Sequence, residues 1–168
     1  MIFRNDIFSI RPVTPVDLEA VLEVYRQCED FLALGPVATA SMDMVTKDIE
    51  LSQVEGGIFC GIYSPTGKMI GVLDYVPENF ENEPRHAFIS LLMIAQPSRS
   101  MGLGKAVVEA VEQEIRKRPQ VKTILSGVQV NNPQAIQFWQ RNGYRIVSKP
   151  ILHPDQTTAY DLRKDLAS

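Results

Sequence analysis

The residues best suited to chemistry form one short segment, Arg99-Ser100-Met101-Gly102-Leu103-Gly104-Lys105, set between an apolar run and an amphipathic one. Two glycines around a leucine, with cations on both sides, have the composition of an anion cradle. A P-loop requires G-x-x-x-x-G-K-[S/T], but position 99 is arginine, and position 106 is alanine where a metal-binding hydroxyl is needed. A dinucleotide fingerprint fails as well, because its third glycine would fall on Val107. What remains is R-x-x-G-x-G. At the start of a helix, first-turn N–H groups lack partners and the helix dipole favours an anion. Gly102 and Gly104 would let a diphosphate approach the backbone, and Arg99 and Lys105 would add charge. The same residues also serve as a plain strand-to-helix turn. Metal chemistry has no comparable support. Cys28 and Cys60 are isolated, with no histidine at ligand spacing, and read as small buried hydrophobes.

The elements that must position this segment alternate along the chain. Ile7–Arg11 reads as a strand, and Thr14-Pro15-Val16-Asp17 as a helix start with a cap, an N-terminal proline and an acid in the first turn. Val21, Leu22 and Tyr25 continue an apolar stripe, and residues 31–36 form a loop broken by Gly35-Pro36. A second helix is expected from Ser41 to Leu51. Ile58–Tyr63 and Met69–Val76 flank the turn residues Ser64-Pro65-Thr66-Gly67, which predicts a hairpin. The polar stretch Pro77–Arg85 then leads to an apolar run, Ala87–Ala95. After the glycine segment, Val107, Val108, Val111 and Ile115 share a helix face, with Glu109, Glu112 and Arg116 off it. Thr123–Val130 is a strand, Asn132-Pro133 opens a helix ended by Gly143, and Tyr144–Val147 and Thr158–Leu162 complete the strands. The pattern is that of a single α/β domain spanning residues 1–168.

Composition restricts the partners. The chain has 168 residues and a formal net charge of −3, without the basic face of a nucleic-acid binder. Its longest like-charge cluster, Arg116-Lys117-Arg118, ends a helical pattern and complements the helix dipole. No apolar run approaches the roughly 20 residues of a membrane span. Arg4 and Asp6 interrupt the N-terminal stretch where a signal peptide needs an apolar centre, so a cytoplasmic protein is expected.

Four segments then follow one another in a telling order: IRPVTPVDLEAVLEVY, GGIFCGIYSPTGKMIGVLDYV, ISLLMIAQPSRSMGLGKAVVEAVEQEI and VNNPQAIQFWQRNGYRIV. Through R-x-x-G-x-G and N-x-x-A-I-x-F-W…G-Y at their separation, the chain resembles the GNAT N-acetyltransferase superfamily over most of its length. The resemblance implies an α/β (α+β) fold with a mixed, mostly antiparallel sheet of six to seven strands and about four helices. The sheet would be splayed open between strands 87–95 and 123–130, with acetyl-CoA in the gap. The backbone of Leu92, Met93 and Ile94 would pair with the pantetheine arm, and Arg99, Ser100, Met101, Gly102, Leu103, Gly104 and Lys105 would hold the diphosphate. Asn132 would reach the pantetheine, cap its helix, or do both. Phe138 and Trp139 face the same region, or belong to the core.

The family reaction is direct attack of an amine on the thioester, and this chain departs from the usual pattern at both proton-transfer positions. Trp139 stands where many members carry a tyrosine acid, and an indole N–H is a donor but not a usable acid. Tyr75, Tyr144 and Tyr160 are the substitutes available. Phe88 and Ser90 occupy positions where members often carry Glu or His as the general base. Asp74 and His86 are the remaining candidates, acting through water that Ser90 orients; period-two counting sets His86 on the face of Ser90. So weak a base set favours the less basic amines. Phe31, Leu32 and Leu34 of the first interhelical loop, together with Tyr75, are the expected acceptor contacts, and Asp74 and Glu78 would suit a cationic amine. The acceptor is a small molecule or a peptide amine, no metal is required, and a homodimer is compatible with this reading. The alternative, motivated by the missing tyrosine and carboxylate, is a catalytically quiet acyl-CoA-binding or sensory module.

Overall fold

A computed structural model of the chain describes residues 1–99 and 101–167. Thr14 does start the first helical segment. Its N–H and hydroxyl both donate to the Asp17 carboxylate (2.8 and 3.1 Å), on which Arg11 closes a two-pronged ion pair (3.1 and 3.2 Å). A 3₁₀ turn over Pro15–Asp17 then runs into α1 (Leu18–Arg26). Among the described residues four further α-helices follow: α2 (Glu29–Leu32), α3 (Met42–Val54), α4 (Leu103–Arg116) and α5 (Pro133–Arg141).

The strands are β1 (Phe3–Arg4), β2 (Ser9–Pro12), β3 (Ile58–Tyr63), β4 (Met69–Val76), β5 (His86–Ile94), β6 (Thr123–Gln129), β7 (Arg145–Ile146), β8 (Ile151–Leu152) and β9 (Thr158–Asp165). They form one sheet in the order β1-β2-β3-β4-β5-β6-β9-β7, with β8 on β9. Every pairing is antiparallel except β5 with β6, which is parallel. The sheet is therefore mixed and mostly antiparallel, as expected, but among the described residues it has nine strands in place of six to seven. The additional pieces, β1 and β8, are two residues long, too short to show alternation. Similarly, the loop expected over 31–36 begins inside α2, a single turn with no periodicity of its own.

The sheet separates two apolar layers. Val107, Val108, Val111 and Ile115 of α4, each at most 1% exposed, pack on Ile10, Ile62, Leu73 and Ile89. On the other face Val21, Leu22 and Tyr25 of α1 meet Val45, Phe59 and Val72. Glu112 corrects the expected polar face of α4: it is 3% exposed. Lys164 Nζ donates to both of its carboxylate oxygens at 3.0 Å, and the Tyr144 hydroxyl to one of them at 2.8 Å. A buried carboxylate is tolerated there because a cation and a phenol together replace its water.

Candidate active site

The parallel pair is where the sheet opens. β5 and β6 are in register only from His86↔Thr123 to Ile89↔Ser126, and the Ser126 hydroxyl donates to the Ile89 carbonyl at 2.7 Å at that last rung. Beyond it the strands part around a cavity of about 1140 Å³. β5 also bulges there, since Asp74 pairs with Leu91 and Tyr75 with Ile89, leaving Ser90 as the extra residue. The Ser90 hydroxyl donates to the Asp74 carbonyl (3.1 Å). A bulge exchanges the faces of the strand beyond it. Ala87 and Ile89 share the α4 layer with Leu92 and Ile94, whereas Leu91 and Met93 turn to the α1 side.

The glycine segment meets the cavity from one end, where Gly102, Leu103, Gly104 and Lys105 line it with Leu92, Met93 and Ile94. Its two glycines serve different needs. Gly102, the N-cap of α4, has φ +73°, and a Cβ there would touch nothing within 4 Å, so backbone conformation is what requires it. A Cβ on Gly104 would lie 3.0 Å from Phe138 Cε1, so Gly104 lets α5 close on α4. Gly102 has no side chain to cap α4, and among the described residues no side chain accepts from its first-turn N–H groups, the arrangement that suits an anion at a helix N-terminus. Met101 is 80% exposed, and Ser100 lies outside the described residues. The Arg99 guanidinium also borders the cavity, but is bound to Asp30 and the Ile94 carbonyl.

On the opposite wall, Asn132 Oδ1 accepts from the Ala135 N–H at 3.1 Å, capping α5 at the cavity edge. Phe138 and Trp139 line the same wall, edge to face at 5.4 Å, and Trp139 meets Tyr144 in the same way at 4.9 Å. Trp139 is core at 7% exposure and lines the cavity at once, and Phe138 packs against the same core.

The remaining predicted residues scatter. Phe31 and Leu34 border the cavity, while Leu32 packs into the α1 layer. Asp74 lies beneath the bulge at 7% exposure, accepting from the Ser52 hydroxyl at 2.6 Å. Burial pushes its pKa up against the pull of the Ser52 and Ser90 hydroxyls. His86 is at the far end of β5, pairing with Thr123, about 13 Å of strand from Ser90 at ~3.3 Å per residue. Tyr75 is fully buried in the α4 layer with its hydroxyl unpartnered among the described residues, and it is not among the residues lining the cavity. The Tyr144 hydroxyl donates its hydrogen bond to Glu112, burial followed by that carboxylate raises its pKa, and Tyr144 is not among the residues lining the cavity.

Sequence reasoning passed over Asp30, Asn131, Arg141, His153 and Asp155, which also line the cavity. Each sits in a turn, at a helix end or in the β8–β9 hairpin, where no periodicity marks a side chain as inward. Among the described residues no group of three or more His, Cys, Asp or Glu side chains could hold a metal, and no helix is long and apolar enough to cross a membrane.

A mixed sheet parted at its parallel pair, with a glycine-opened helix N-terminus at the gap, is the arrangement of an acyl-transferring α/β domain. The family model for the Acetyltransferase (GNAT) family matches residues 18–144, and the chain belongs to that family, whose reaction is acetyl transfer to amines. An acetyltransferase from Thermus thermophilus superposes with TM-score 0.79 at 22% identity, over 95% of this chain and 97% of that one. Spermidine N-acetyltransferase from Vibrio cholerae, solved with CoA and spermine, gives 0.73 at 12% identity, over 96% of both chains. The ribosomal-protein-S18-alanine N-acetyltransferase of Escherichia coli gives 0.71 at 17%, also over 96% of both. At these identities the likeness is one of fold. No curated protein matches the chain significantly in sequence.

Proposed function

We propose that the chain transfers the acetyl group of acetyl-CoA to a primary amine of a small molecule or peptide, by direct attack. The observation carrying this reading is the cavity between β5 and β6, which joins a helix N-terminus opened by Gly102 to a strand bulge. Acetyl-CoA, when bound, supplies the thioester carbonyl and a thiolate leaving group of pKa about 8.5, tolerable near neutral pH without a side-chain acid. The residues fit it. The edge of β5 over Leu92–Ile94, released by β6, would pair with the pantetheine arm, with Asn132, Phe138 and Trp139 as the facing wall. The backbone from Met101 to Lys105 and the Lys105 ammonium would hold the diphosphate. A backbone N–H of β5 beside the bulge would stabilise charge developing on the carbonyl oxygen.

The proton of the attacking amine passes from the Ser90 side, through water, to Asp74, whose raised pKa suits a carboxylate for that task. Phe31 and Leu34 border the acceptor. With an indole in the acid position, catalysis rests chiefly on positioning the two substrates. The cytoplasm, with its acetyl-CoA, is the expected setting.

Calorimetric titration with CoA and free-thiol release from acetyl-CoA across an amine panel test the proposal together. CoA binding with amine-dependent thiol release is the expected result. Binding without turnover would identify a quiet CoA-binding module, a reading that Trp139 in the acid position favours. Absence of binding would overturn both.

A further inference from the structure

We propose that Arg99 is a positioning residue, clasping the acceptor wall of the cavity to the end of β5, and not a ligand of the diphosphate. Three of its five N–H donors are committed. Nη1 and Nη2 form a fork on Asp30 Oδ2 and Oδ1 at 2.6 and 3.1 Å, and Nε donates to the Ile94 carbonyl at 2.8 Å. That carbonyl also accepts from Cys28 Sγ at 3.4 Å. The fork joins residues 69 positions apart, and bidentate geometry gives it a directionality that single surface ion pairs lack.

The segment held in this way is the acceptor wall. Asp30 and Phe31 are neighbours in α2, and Phe31 and Leu34 border the cavity. Its far end is fastened separately, where Asn131 Nδ2 donates to the Leu34 carbonyl at 3.0 Å from the turn between β6 and α5. Residues 28–34 thus border the cavity, tied to β5 through Arg99 on one side and to the turn before α5 through Asn131 on the other. The Asp30 carboxylate neutralises the charge that Arg99 would offer an anion. Diphosphate recognition is left to the α4 N-terminus and Lys105. Both pKa directions agree: Arg99 holds the Asp30 carboxyl below the usual range, and Asp30 raises the Arg99 guanidinium.

Naming the two sides donor and acceptor rests on the function proposed above, so the test has arms independent of turnover. Amide hydrogen exchange over residues 28–34 and CoA calorimetry are measured for wild type, Asp30→Asn, Arg99→Gln and the double variant. Each single variant is expected to speed exchange in that segment about five- to tenfold, as loss of a charge-assisted contact should. The double variant is expected to go no faster than either single one, and Asp30→Glu to restore most of the protection. Salt at about 1 M, where the Debye length is ~3 Å, should accelerate wild-type exchange and leave the variants unmoved. CoA affinity is expected to stay within about threefold throughout, while the KM for a turned-over amine rises more than kcat falls. A tenfold or greater loss of CoA affinity in Arg99→Gln but not in Asp30→Asn would make Arg99 a diphosphate ligand and overturn the proposal. Unchanged exchange in both single variants would overturn it too. Should wild type bind no CoA, the functional reading falls, and the exchange comparison still decides the clasp.

Discussion

Asp74 is buried beneath the β5 bulge, with the Ser52 hydroxyl on its carboxylate and the Ser90 hydroxyl on its carbonyl. Burial raises its pKa, so the folded state holds the proton more tightly than the unfolded chain does. Its contribution to stability is therefore full below the unfolded value, about 3.9, and is lost as pH rises through the folded value. Asp17 has the opposite sign. Burial pushes its pKa up, but Arg11 and Thr14 outweigh it and hold the value down, so its contribution is present above about 3.9 and lost as pH falls through the folded value. Asp74→Asn keeps an oxygen for Ser52 and removes the buried charge. It is expected to raise Tm at neutral pH by a few degrees and to flatten the stability profile above about pH 4 in thermal melts. If Asp74 takes the amine proton, thiol release in the same variant should fall on the order of 10²-fold.

At the scale of elements, the contact between α4 and α5 depends on Gly104. Phe138 already lies within 3.0 Å of the position a Cβ would take, so a larger residue must displace the α5 wall that carries Trp139. Gly104→Val is expected to cost about 1–3 kcal/mol in urea unfolding, an overpacking penalty. Combining it with Phe138→Ala should recover part of that loss, because the two side chains contend for one space. Gly102→Ala is a different experiment. Nothing blocks the added methyl, and the left-handed φ of +73° alone should cost ~1–2 kcal/mol. The contrast is informative because the sequence offers these glycines as equivalent members of one motif, whereas one is required by backbone conformation and the other by helix packing.

For the whole molecule, the parting of β5 from β6 leaves a large cavity across a sheet that otherwise separates two apolar layers. A ligand that fills this gap binds the folded state alone, so its free energy of binding adds to stability. CoA at 100 times its dissociation constant is expected to stabilise the chain by about 2.7 kcal/mol, which for this length is a rise in Tm of roughly 5–10 °C. Trp139 is the sole tryptophan and lines the cavity, so its fluorescence should change over the same CoA range as the melting shift.

Whatever depends on neighbouring residues was legible before the chain folded. The inward face of α4 stood in Val107, Val108, Val111 and Ile115, the start of α1 in Thr14 and Asp17, the β3–β4 hairpin in its turn residues, and the place of a glycine-opened helix in R-x-x-G-x-G. These follow from repeats of two or 3.6 residues and from cap chemistry, all local. The rest came only with packing. One extra residue at Ser90 reversed the facing of β5, and strand length set His86 far from the bulge. Glu112, on the polar side by periodicity, is buried because Lys164 and Tyr144 come to it from distant parts of the chain. Arg99 is expected at the diphosphate on its motif and is found on Asp30, because two residues 69 positions apart meet at the end of β5. Local pattern records where an element starts and what period it follows; how a strand faces beyond a bulge, and which charge neutralises which, are settled when the elements pack.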